Sequence, residues 1–183
     1  MLCAICRGDH PETDSRALSI LASTPRRLEK LLSSVGPREA VARPMRGKWS
    51  IKEIVSHLAD TELVYGYRYR RTIAEPGARL SEFDQEIWAK ELLYRRQPLD
   101  AMEGAFSALR KQNLVLLKLV SKGVWSQHAS HPEYGTVSLR EMVTHMATHD
   151  RTHLSQIERL AAVVDKRSKK RKTTKKRPSR KAK

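Results

Sequence analysis

Apolar residues recur along this chain at helical spacing. Leu18, Leu21, Leu28, Leu31 and Leu32 form one stripe and predict a helix over 14–34. Pro25, after Thr24, is expected to kink or restart it, and Gly36-Pro37 to end it. A loop marked by Pro44 and Gly47 follows. Ser50-Ile-Lys-Glu53 is a capping box, so a second helix starts at Ser50, with Ile51, Ile54, Val55, Leu58 and Tyr65 on its core face and Pro76-Gly77 at its stop. A short helix is expected within 81–94, carrying Phe83, Ile87 and Trp88. Pro98 opens another over 99–121, with Met102, Phe106, Leu109, Leu114, Leu117 and Val120 inward. His128 to Gly135 reads as a loop. Ser138-x-x-Glu141 is a second capping box and begins a last helix over 138–165. No strand alternation and no internal repeat are read. The fold class is therefore all-α: four main helices and a short extra one, packed as a four-helix bundle.

The last helix carries an anomaly. Leu139, Met142, Val143, Met146, Ile157, Leu160 and Val164 form its buried stripe, and His149 and His153 of His149-Asp-Arg-Thr-His153 fall inside it. Four residues apart, the two imidazoles stack one turn above each other. A buried polar group needs a partner or costs about 1–3 kcal/mol. Core histidines bonded to carboxylates or carbonyls are one answer, and a metal ion is the other. Asp150 stands where a zincin protease has Glu, so that chemistry is not supported. A three-ligand site needs a third group, and His57, His145, His128 and His131 are available. His145 flanks the stripe. His57, mid-way along another long helix that a bundle can set opposite, is the best third ligand. Asp60, Glu62 and Gln156 are expected to surround the ligands, with Asp60 or Glu62 as a candidate general base. A di-iron bundle would need two Glu-x-x-His motifs, and the chain has none. Trp49, Trp88 and Trp125 are expected to pack in the core.

Two segments carry these residues as a recognisable pair. GKWSIKEIVSHLADTE and TVSLREMVTHMATHDRTHLSQIERL, with LSEFDQEIWAKELLYRRQ and FSALRKQNLVLLKLV between them, resemble the DinB-like (YfiT-like) superfamily over about residues 14–164. The resemblance implies a four-helix bundle holding a divalent ion, zinc or nickel, on one histidine of the first segment and two of the last: His57, His149 and His153. It also implies an enzyme acting on a small-molecule substrate. An ion on three neutral imidazoles keeps its full charge and acidifies a water or a thiol. Hydrolysis, and transfer by a low-molecular-weight thiol as cosubstrate, are both expected chemistries. A homodimer is an allowed assembly.

Charge separates the chain into parts. The net charge is +16, yet residues 166–183 hold 12 Lys/Arg and no acid, leaving 24 basic against 20 acidic residues elsewhere. This low-complexity tail has no aromatic residue and cannot bury a core, so it is expected to be disordered. It would attract nucleic acid or another polyanion without reading sequence. A metal-binding module acting through this tail, without catalysis, is the non-enzyme alternative. Three parts follow: an irregular segment 1–12, a bundle domain 13–165 and the tail 166–183. Cys3, Cys6 and His10 have the composition of a zinc knuckle, but a lone C-x-x-C is weak and a frayed end is expected. Two cysteines imply no disulfide framework, and with no membrane span or signal peptide a cytoplasmic protein is expected.

Overall fold

The computed structural model describes residues 14–43 and 47–175, with side chains to Val164. The expectations for 1–12 lie outside the described residues, as does the part of the tail beyond Lys175.

Four long helices form the bundle: α1 (Asp14–Leu32), α3 (Ile51–Ala74), α5 (Leu99–Leu119) and α6 (Leu139–Lys175). Two short helices, α2 (Pro37–Ala40) and α4 (Gln85–Glu91), sit in the connections. Both predicted capping boxes form. The Ser50 hydroxyl accepts from the Glu53 amide at 3.3 Å, and Glu53 accepts from the Ser50 amide at 2.9 Å. Ser138 and Glu141 repeat the pattern at 3.2 and 2.8 Å.

α1 packs on α5 and α6, and α3 packs on the same two, so α1 and α3 lie diagonally. The core has two apolar halves. One holds Ala17, Leu21, Tyr65, Tyr69, Leu114, Leu117 and residues 139–147 of α6. The other holds Leu28, Leu32, residues 51–59 of α3, Phe106, Leu154, Ile157 and Leu160. Helices α1 and α6 pass from the first half to the second, and α3 and α5 pass the other way. The topology is up-down-down-up, with a long crossover between the parallel neighbours α3 and α5.

A buried polar layer separates the halves, and each long helix contributes to it. Arg110 of α5 donates to Asp150 of α6 at 2.6 and 3.1 Å and to Glu62 of α3 at 2.7 Å. It also donates to the carbonyl of Leu21 in α1 at 3.0 Å. That carbonyl would normally accept from residue 25, which is Pro25 and has no N–H. Helix α1 thus runs unbroken through its proline, and the bond the proline forfeits is replaced by a guanidinium from another helix. The stripe reading placed Leu109 inward; Leu109 is half-buried and Arg110 is buried completely.

Three local expectations are corrected. The loop at 128–135 is part of a hairpin, β1 (His128–His131) against antiparallel β2 (Gly135–Ser138), with Ala129, His131 and Val137 inward. Strands of four residues are too short for an alternation to stand out in sequence. The segment after α3 joins the hairpin, through Ser130 N to Ala78 O at 2.9 Å and Leu80 N to Ser130 O at 2.8 Å. The loop after α1 contains the single turn α2, with Pro37 at its first position and Glu39 accepting from the Gly36 amide at 2.9 Å. Finally, α6 continues to Lys175 rather than stopping near 165, so helical backbone enters the segment expected to be disordered. Lys and Arg are good helix formers, and the first proline of the tail is Pro178.

Candidate metal centre

The N-terminal half of α3 faces the middle of α6, and three histidines meet there. His57 Nε2 lies 3.0 Å from His149 Nε2. One ligating nitrogen from each of His57, His149 and His153 lies within 4.8 Å of the other two. Nitrogens bound to one zinc-like ion are about 3–3.5 Å apart, given bonds of about 2.0–2.1 Å, so the trio is close to ligand spacing. His57 is buried, and the other two are half-buried.

The surroundings hold the rings neutral. Burial, and then the neighbouring His153, push His57 down from its usual value to about 3. Burial followed by His153, His57 and His145 holds His149 well below the usual range. Burial also lowers His153, against the opposing bond from Gln156. Neutral imidazoles keep the lone pairs that a metal requires. Gln156 Oε1 sits 3.1 Å from His153 Nδ1 and accepts its hydrogen, which leaves the other nitrogen free to bind an ion. Thr61 Oγ1 lies 3.3 Å from His57 Nδ1 and 3.4 Å from its Nε2, a polar contact to this ring from its own helix. His149 Nδ1 is buried without a hydrogen-bond partner among the described residues. Hydrogen bonds alone therefore leave the cluster incompletely satisfied, and the donor set suits a divalent ion of the zinc or nickel kind.

An open cavity of about 590 Å³ adjoins the cluster, lined by His57 and His149 at one end and by Arg68, His131 and Tyr134 elsewhere. Positions 57, 61, 65 and 68 of α3, spaced four, four and three apart, make one wall of it. Aromatic rings border His57: Trp49 at 4.9 Å and Phe83, stacked, at 6.3 Å between ring centres. Trp125 is buried in the core as expected, whereas Trp88, expected there too, is only half-buried on the short surface helix α4, where it meets Phe83 edge-on. Trp49 is thus a neighbour of the site as well as a packing residue.

The other sequence candidates fall as follows. His145 lines the cavity beside His149 and stacks on Tyr65. His128 is exposed on β1. His131, expected in a loop, is a buried strand residue and lines the cavity. Glu62 does not line the cavity. Its oxygens accept from Arg110 at 2.7 Å and from Asn113 at 2.8 Å, the arrangement of a structural carboxylate rather than of a general base. Asp60 does not line the cavity either, and Thr61 rather than Asp60 bonds His57. Burial raises the Asp60 carboxyl, with Tyr94 opposing. Arg68 was missed in the sequence, although its position on the His57 face of α3 is a signal that helical spacing contains.

Known proteins are similar to this chain in sequence and in fold. A protein of Oceanobacillus iheyensis named as a metal-dependent hydrolase is 26% identical over 141 residues, covering 77% of this chain and 81% of the relative. Among solved structures, YfiT from Bacillus subtilis, described as a metal-dependent hydrolase with an unusual four-helix bundle topology, superposes with a TM-score of 0.79 at 15% identity, over 86% of this chain and 93% of its own. A mycothiol-dependent maleylpyruvate isomerase superposes with a TM-score of 0.66 at 13% identity, over 81% of this chain and 62% of its own. The pattern of the DinB superfamily matches residues 20–157, and the chain belongs to that superfamily.

Proposed function

We propose that this protein is a metal-dependent hydrolase of small molecules, with its divalent ion on His57, His149 and His153. The observation that carries the reading is the 3.0 Å approach of His57 Nε2 and His149 Nε2 from two different helices, at the end of a cavity. When bound, such an ion supplies a Lewis acid that polarises a substrate bond and acidifies a water or a thiol. The chain supplies the rest. Burial keeps the three rings neutral, Thr61 and Gln156 orient two of them, and Trp49 and Phe83 shield His57 on its open sides. The relative from Oceanobacillus iheyensis supports hydrolysis by its name. The fold shared with a mycothiol-dependent isomerase supports a second reading, in which a low-molecular-weight thiol is the nucleophile in place of water.

The test begins with metal. Purified full-length protein should contain about one zinc or nickel per chain by elemental analysis, and His57→Ala, His149→Ala and His153→Ala should each lose it. Turnover of ester, amide and epoxide panels, with and without added thiols, then separates hydrolysis from transfer. A wild-type protein that takes up neither zinc nor nickel would sink the proposal. A metal-loaded protein without turnover, but with salt-sensitive DNA binding, would favour a non-catalytic module.

A further inference from the structure

Among the described residues two arginines are buried, Arg68 and Arg110, and their surroundings differ. Arg110 is paired with two carboxylates. Arg68 is 5% exposed and also buried, but its guanidinium meets no carboxylate within ion-pair distance among the described residues. It donates from Nη2 to the carbonyl of Ser81 at 2.7 Å and lies 5.1 Å from the centre of the Tyr65 ring. Burying a charge is costly unless it is paired. Arg68 lines the cavity, so its remaining N–H groups are available there. Glu82, Asp84, Glu86 and Glu133 line the same cavity but are exposed, where water screens their charge.

His131 provides a second donor beside it. Its Nδ1 accepts from the backbone amides of Glu133 at 3.2 Å and Tyr134 at 3.3 Å, so the ring hydrogen is on Nε2. Burial, and then the Arg68 charge, lower its pKa, with Glu133 and Glu82 opposing. Ser81, which holds Arg68, follows the extended segment that bonds to β1, and His131 ends β1. One small sheet therefore positions both donors.

We propose that Arg68 and His131 form an oxyanion-binding end of the cavity, so that the substrate is a small molecule bearing a carboxylate or a phosphate. Calling the ligand a substrate rests on the metal-enzyme reading above; the anion site itself does not. Arg68 lies three turns beyond His57 on α3, about 16 Å along the axis, and its side chain leans back toward His57. The anionic group is thus held at the end of the molecule remote from the metal centre.

The test is a titration of the full-length, isotope-labelled protein with sodium acetate and, separately, inorganic phosphate, read at the Arg68 Nε and His131 ring resonances. Reading these two residues keeps phosphate bound to the basic tail out of the measurement. Both resonances should shift saturably for at least one anion, and which anion binds more tightly distinguishes carboxylate from phosphate. Arg68→Met, read at His131, should weaken binding about 10- to 100-fold, and Arg68→Lys, which keeps the charge without the planar fork, should weaken it less. His57→Ala should bind the anion as the wild type does while losing metal, so failure of the metal reading and failure of the anion site are separable. No saturable shift in the wild type, or a preference for methylammonium over both anions, would overturn the proposal, and these two outcomes do not depend on how well Arg68→Met folds.

Discussion

An imidazole binds metal only when it is neutral, and here burial keeps it so. This has a cost in acid that can be measured without any metal. In the chelator-treated protein, His57 titrates at about 3 when folded and near its usual value of 6.5 when unfolded. Between those values the unfolded chain binds more protons than the folded one, so stability rises with pH through the window and levels off above it. His57 alone contributes a slope of up to about 1.4 kcal/mol per pH unit. Urea midpoints at pH 7, 6 and 5 should fall more steeply for wild type than for His57→Gln, which does not titrate; equal slopes would refute the assignment. The histidine trio is the most legible part of the candidate site. His149 and His153 interrupt an apolar stripe, and Ser50 dates the start of the helix that brings His57 opposite. Arg110 was not legible, because nothing local marks it among 36 basic residues, and Arg68, though it shares the His57 face of α3, carries no local sign that its charge is unpaired. Their roles come from partners 13 to 89 residues away.

At the scale of elements, both capping boxes were read correctly because each is a set of local bonds between residues three apart. Contacts between elements are not local, and apart from the approach of His57 to His149 and His153 they were not read. Gly66 is one of them. A Cβ there would lie 2.6 Å from both terminal atoms of the Asn113 side chain, so the glycine permits the close approach of α3 to α5. Asn113 holds Glu62 through Oε1 at 2.8 Å and accepts from Arg70 at 2.7 Å, so it is not free to swing aside. By helix propensity alone, Gly66→Ala should stabilise α3 by about 1 kcal/mol. The clash reverses the sign, and a net loss of about 1–3 kcal/mol is expected from overpacking. Thermal melts of Gly66→Ala and of Gly66→Ala with Asn113→Ala check this: the second change should recover part of the loss if the clash is its cause. An increase in melting temperature for the single variant would show that the helices can part. Pro25 is the opposite case, a legible residue with an illegible consequence. It was expected to kink or restart α1; the helix does not restart, and Arg110 donates to the Leu21 carbonyl that the proline leaves open.

For the whole molecule, charge and core are divided between different stretches of chain. The two apolar halves and the polar layer between them use residues 17–160, with Val164 the last buried position among the described residues. Beyond it, residues 166–183 contribute 12 of the 36 basic residues and no acid. Deleting 166–183 should therefore leave the melting temperature and metal content of the bundle unchanged, while removing most of its attraction for polyanions. The remaining chain carries 24 basic against 20 acidic residues, a net charge of +4, which is ordinary for a domain of this size. Duplex DNA is the probe. Binding by the full chain should fall linearly with salt on logarithmic axes, with a slope of about −0.9 for each phosphate neutralised. Truncation should flatten that slope and lower affinity at low salt, for any sequence of DNA, since Lys and Arg on phosphates read no bases. A truncated protein that kept the slope of the full chain would place the polyanion surface on the bundle instead. A truncated protein that lost metal would mean that the basic end of α6 supports His149 and His153 through the helix they share.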